Sequence, residues 1–287
     1  MGIQVLGPLT VDGDALSPRE RSILSALIVR SGSPMSADEL ADAYWGARPP
    51  TTWMQQVKTA IALIRRRVGP ATVHTVAGGY PLGVDPDVID AARFERLVSS
   101  ARAHMLHGES ERAADAYRRA LGLWRGPAYP DVGAWPPGVT EAFRLDEVRK
   151  TAEEELLVAR LALGDHHAVI ADAERLVRED PLREERWAVL ALADYRSDRQ
   201  ADALATIAAA RARLREELGI EPGRRLAELE GAILRQDPSV DAPTTSPAPH
   251  EECPYRGLDA FGTDDAATFF GRDSDIARVL DRLAPGV

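Results

Sequence analysis

Cysteine is nearly absent from this chain of 287 residues: Cys253 stands alone. One thiol forms no intramolecular disulfide and no cysteine zinc site, so the fold rests on core burial, as expected in a reducing cytoplasm. Long apolar runs are missing too. No stretch approaches the roughly 20 residues of a membrane-spanning helix, and the start MGIQVLGPLTV has no basic flank leading into an apolar segment. Positive charge is not in excess. The 35 Lys and Arg against 45 Asp and Glu leave a net charge of −10, which excludes a protein that coats nucleic acid by neutralising phosphates over its whole surface. A small reading head remains compatible with that balance, because residues 1 to 92 carry eight positive charges against nine negative. Neither the phosphate-cradling G-x-x-x-x-G-K-[ST] nor the nucleophile turn G-x-S-x-G occurs. His104 and His107 lie three apart on one helix but gain no third ligand from any motif, so they read as solvated or partly buried side chains. The sequence predicts no enzymatic activity, no cofactor and no metal.

What the chain does have is a two-faced stretch from Thr51 to Gly69, TTWMQQVKTAIALIRRRVG. Trp53, Val57, Ile61, Ile64 and Val68 follow one another at steps of four or three, one apolar stripe at about 100° per residue. Opposite them fall Thr51, Gln55, Lys58, Thr59, Ala62 and Arg66, with Arg65 and Arg67 on the flanks. A helix seated in the DNA major groove needs this combination: an apolar back, small and amide-bearing residues toward base edges, and arginines for guanine or phosphate. A solvated amphipathic helix has the same pattern, so its neighbours carry the weight.

Before it, residues 3 to 16 alternate around Gly7, Pro8 and the Asp12–Gly13 turn, predicting two short strands in a hairpin. A first helix runs from Pro18 to the stop at Gly32. A second opens at Ser36 with Glu39 three residues on, a capping box, and ends at Gly46. After the two-faced stretch, Thr72 to Val84 reads as a hairpin around Gly78 and Gly79. Strands, three helices and a hairpin are the order of a winged helix-turn-helix, with the third helix as reader and the hairpin as wing.

The motifs VLGPL near the start, W-G-x-x-P-P at Trp45 to Pro50, I-x-x-I-R-R-x-V-G at Ile61 to Gly69 and G-Y at Gly79–Tyr80 resemble the amino-terminal domain of the Streptomyces antibiotic regulatory protein family. That resemblance implies an OmpR-type winged helix over residues 1–91. Where members of the family more often carry a small polar and a basic residue, this chain has Ala62 and Leu63, and its wing offers His74, Thr75 and Ala77 without the arginine that commonly precedes Gly-Tyr.

From Asp90 on, alanine-rich helices pair up: 92–107 with 110–124, 139–163 with 168–179, 182–196 with 199–218, and a closing helix over 222–236. The segment 125–138 is too rich in Pro and Gly to read as helix. Paired helices at this spacing suggest a tetratricopeptide-like array. ADAYRRALGLWRG and EELGIEPGRRLAELEGAIL within residues 92–236 resemble the bacterial transcriptional activation domain of the same family. Residues 237–252 then read as a linker rich in Pro, Ser and Thr, and CPYRGL followed by FFGRDSDI over residues 253–287 resembles the truncated start of a STAND-type NTPase module. The expected class is mainly α: a winged helix-turn-helix (α+β) followed by a tetratricopeptide-like all-α domain.

The function expected is that of a cytoplasmic, sequence-specific DNA-binding regulator without membrane association. Gln55 and Arg66 are the expected base readers. Lys58, Arg65 and Arg67 are expected on phosphates, Thr51, Thr52 and Thr59 add hydroxyls, Ala62 lies among them, and His74, Thr75 and Gly79 lie on the wing. The resemblance implies an activator of secondary-metabolism or related genes that binds direct repeats in double-stranded DNA as a homodimer and contacts RNA polymerase. The alternative is a protein-interaction and signalling module with a weak or masked DNA-binding head, supported by the near-neutral first domain and the apolar Ala62 and Leu63.

Overall fold

The computed structural model describes residues 2–242. At the start, β1 (Ile3–Gln4), β2 (Thr10–Val11) and β3 (Asp14–Ala15) form an antiparallel sheet in the order β1-β2-β3. Three strands stand where the alternation predicts two. The Asp12–Gly13 turn makes one reversal, with both residues at positive φ, and the Gly7–Pro8 segment makes a second, which places Ile3 opposite Val11. Helix α1 (Pro18–Val29) begins with Pro18 in its first turn and a capping box in which Ser17 and Glu20 exchange bonds. Helix α2 (Ala37–Trp45) repeats the device: the Glu39 N–H donates to Ser36 Oγ at 3.2 Å and the Ser36 N–H donates to the Glu39 carboxylate at 2.8 Å. The Ser36 N–H thereby holds the Glu39 carboxyl below its ordinary range. Helix α3 (Trp53–Val68) lies across α1 and α2 and buries Val57, Ala60, Ile61, Ile64 and Val68.

Among the described residues, seven further α-helices follow: α4 (Asp90–Leu106), α5 (Ser110–Leu121), α6 (Pro136–Ala162), α7 (His166–Glu179), α8 (Glu184–Arg196), α9 (Gln200–Leu218) and α10 (Arg224–Arg235). Adjacent helices pack as hairpins, with Ala113, Ala114 and Ala120 of α5 fully buried where the backbones approach. Helix α6 starts earlier than its composition suggests. Pro136 and Pro137 supply its first turn, where a missing N–H costs nothing, and Gly138 lies so close to Val132 that a Cβ there would sit 2.5 Å from it. Helix α10 starts later, at Arg224: Gly223 is extended, with ψ of 166°, and donates its N–H to the Glu184 carboxylate of α8 at 2.6 Å. Asp237 to Asp241, expected as the beginning of the linker, instead pack on the array: Val240 is buried and its carbonyl accepts from Arg196 at 3.0 Å. Within the array, fully buried Arg186 donates to Glu154 at 2.9 Å and to the Leu176 carbonyl at 2.6 Å, joining α6, α7 and α8. The expected NTPase-like segment lies outside the described residues.

Winged head and helical array share one apolar core, which runs from Ile3 and Leu24 through Phe94 and Tyr117 to Ala159. Two carboxylates clasp them. Asp90, at the first position of α4, accepts the Val5 N–H at 2.7 Å and the Leu6 N–H at 3.2 Å. Asp131 accepts the Leu9 N–H at 2.8 Å and Arg21 of α1 at 2.6 Å. Between these bonds, the Arg125 N–H donates to the Leu6 carbonyl at 2.7 Å and the Tyr129 N–H to the Val5 carbonyl at 2.8 Å. The proline-rich segment read from sequence as a loop is thus bonded along the β1–β2 connection. Burial pushes the Asp90 carboxyl above its ordinary range, against the lowering by these N–H groups and by Arg125.

Replacing Asp131 by Ala strands a buried N–H and a guanidinium at once. The expected loss of stability is about 2–3 kcal/mol, measured by chemical denaturation, with head and array unfolding in one transition. An unchanged midpoint would remove Asp131 from the clasp.

Candidate nucleic-acid interface

Helix α3 is positioned by its apolar side and left open on the other. Pro49 and Pro50 end the preceding turn, and the Trp53 N–H donates to the Pro50 carbonyl at 2.9 Å as the helix begins. Four of the five stripe residues are buried and Trp53 is half-buried. Thr51, Thr52, Gln55, Lys58, Thr59, Ala62, Arg66 and Arg67 are all exposed. The structure brings Gln55, Lys58, Thr59, Ala62 and Arg66 together on one face of the 16-residue helix, with Thr51 and Thr52 just before its first residue and Arg67 on its flank.

Their side chains differ in how far the protein already uses them. Among the described residues, the Gln55 amide, the Lys58 ammonium and the Arg66 guanidinium form no hydrogen bond or ion pair. Thr52 Oγ1 accepts from Gln56 at 2.8 Å, and Thr59 Oγ1 donates back to the Gln55 carbonyl at 2.9 Å, so each retains hydrogen-bonding capacity for further partners. Arg67 lies 3.8 Å from Asp14 of β3, an exposed pair of small energetic weight.

Arg65 is different. It is half-buried, and its Nε donates to the Val73 carbonyl and its Nη2 to Thr75 Oγ1, both at 2.7 Å. Expected as a phosphate contact, it bolts the helix to the wing and has only its remaining N–H groups for a ligand.

The wing is a hairpin in which Val73 pairs with Leu82 and Val76 with Gly79. His74 and Thr75 are exposed on it, as is Val76. Gly79 is expected on the binding surface, but it serves the backbone. The Tyr80 N–H donates to the Met35 carbonyl at 2.8 Å, which brings the wing so near the α1–α2 connection that a Cβ on Gly79 would lie 2.0 Å from the Met35 oxygen. Its φ of +128° also lies where side chains rarely sit. Both latches escaped sequence reasoning. The G-Y pair marked the spot without revealing its partner, and nothing in R-R-R distinguishes the arginine that turns inward.

Among the described residues, no group of three His, Cys, Asp or Glu is placed to hold a metal ion, and no helix is long and apolar enough to cross a membrane. His104 is engaged by Glu109 at 2.5 Å.

Comparison with known proteins fits this geometry. The family described as "Bacterial transcriptional activator domain" matches residues 89–234, and "Transcriptional regulatory protein, C terminal" matches residues 14–82. "Novel STAND NTPase 1" matches residues 254–286, outside the described residues. The regulatory protein DnrI of Streptomyces peucetius is 35% identical over 257 residues, covering 84% of this chain and 94% of the relative. The regulatory protein AfsR of Streptomyces coelicolor is 38% identical over 242 residues, which are 82% of this chain but 24% of that longer protein. Among solved structures, EmbR of Mycobacterium tuberculosis, in complex with a low affinity phosphopeptide, superposes with a TM-score of 0.77 at 28% identity, covering 98% of this chain and 70% of that one.

Gly79→Ala is expected to destabilise the head by about 1–3 kcal/mol and to release the wing, read as faster hydrogen exchange of the Tyr80 amide. Unaltered protection at Tyr80 would contradict the latch.

Proposed function

The chain belongs to the Streptomyces antibiotic regulatory protein family and is a DNA-binding transcriptional activator, and on that premise we propose that α3 enters the major groove while the wing touches the adjacent backbone or minor groove. In this reading Gln55 pairs with adenine and Arg66 with guanine, each through two parallel hydrogen bonds. Lys58 and Arg67 hold phosphates, and Arg65 adds its unused N–H groups at the helix–wing junction. Thr51, Thr52 and Thr59 contribute hydroxyls along the backbone, with His74 and Thr75 on the wing side. The observation that carries the proposal is the uncommitted state of Gln55, Lys58 and Arg66 on one exposed face. A protein that used these groups internally would have paired them, as it paired Arg65.

Two copies bind direct repeats in double-stranded DNA, with half-sites about one helical turn apart or a multiple of it. The helical array supplies the contact to RNA polymerase, and the genes controlled are those of secondary metabolism. The chain acts in the cytoplasm, by binding and not by catalysis. Exposure of the reading face favours this over a head masked by its own array, since none of the described helices covers Gln55, Ala62 or Arg66.

Arg66→Ala should weaken binding to the preferred duplex by about 1–3 kcal/mol and relax the preference for one base pair. Lys58→Ala should weaken all duplexes alike and lower the slope of log K against log salt by about 1. Titration of the wild-type chain and both variants, at two salt concentrations, checks the assignment. Equal losses on every sequence for both variants would remove Arg66 from the base readers.

A further inference from the structure

On the assumption that α3 reads bases, one part of its exposed face has no polar role. Ala62 lies about 20° from Gln55 and about 40° from Arg66 around the helix axis, at the centre of the face. Leu63 is on its shoulder. Both are exposed, Leu63 at 39% of its surface, and neither packs into the core that takes Ile61 and Ile64. Along its axis the helix thus presents an amide near its start, a guanidinium near its end and, between Thr59 and Arg66, two apolar side chains, Ala62 on the Gln55–Arg66 line and Leu63 about 100° round from it.

The major groove displays hydrogen-bonding atoms on every base and a single apolar group, the C5 methyl of thymine. An adenine, guanine or cytosine edge set against Ala62 and Leu63 loses its water and receives no hydrogen bond in return, which is unfavourable. A thymine methyl set there covers apolar surface with apolar surface. We propose that Ala62 and Leu63 are specificity-determining residues that select thymine between the bases read by Gln55 and Arg66. The preferred half-site then contains a thymine whose methyl group, and not its hydrogen-bonding edge, is recognised.

The test uses the full chain and the best duplex from selection against a random DNA pool, with each thymine in turn replaced by deoxyuridine, which deletes the methyl group alone. The expected result is about fourfold weaker binding at one or two positions inside each half-site. In the Ala62→Gly, Leu63→Ala variant, with its fold verified by circular dichroism, that penalty disappears at the same positions. Leu63→Ala alone, which keeps a good helix former, removes part of it. Undiminished binding of every deoxyuridine duplex, with sequence preference intact, overturns this inference and leaves α3 as the reader. A selected half-site without thymine between the Gln55 and Arg66 contacts does the same. Absence of any enriched sequence overturns the base-reading assignment and this inference with it.

Discussion

Two carboxylates that accept backbone N–H groups, Asp90 buried and Asp131 partly buried, hold the molecule together at its most consequential seam. Asp90 takes Val5 and Leu6, Asp131 takes Leu9 and Arg21, and the backbone from Arg125 to Tyr129 bonds to the same connection. Short strands of two residues each are too small to be stable alone. Their unpaired edge is completed by the helical array, and the apolar core continues from one part into the other. Head and array are therefore one body, and the direction in which α3 points is fixed relative to α4 through α10.

That rigidity gives the exposed face of α3 its meaning. Its inner side is committed: Val57, Ile61 and Ile64 are buried against α1 and α2. The wing is held from two sides, by Arg65 from the helix and by Met35 through the Gly79–Tyr80 pair. Helix and wing consequently reach solvent at a fixed spacing, a preorganised pair of edges with little conformational entropy left to lose on binding. Against this fixed frame the unpaired Gln55, Lys58 and Arg66 stand out, since most arginines in the array are tied to carboxylates, such as Arg183 to Glu147 and Glu154. Of the net charge of −10, residues 1 to 92 carry only −1, which leaves the head free to approach a polyanion.

Periodic features were legible in the residues. The stripe from Val57 to Val68, the Ser36–Glu39 capping box and the Asp12–Gly13 turn each rest on contacts between residues a few positions apart, so their spacing alone defines them. The clasp was not legible, because Asp90 and Asp131 bond to residues 85 and 122 positions away and a side chain bound to a distant backbone leaves no period. The same holds for Arg65, identical in type to Arg66 and Arg67 and distinguished only by where the wing passes. Pro136 and Pro137 misled for the opposite reason: their local signal against helix is real, yet at a first turn it does not apply. Within the site, sequence pattern located the face, and three-dimensional contacts decided which of its groups are free.

The most direct test of this account is selection of bound duplexes from a random DNA pool, followed by titration of the best duplex and a scrambled one at two salt concentrations. The account predicts an enriched direct repeat with roughly one-turn spacing and a preference over the scrambled duplex that persists as salt rises. Failure to enrich any sequence, with both duplexes released equally at higher salt, would contradict it.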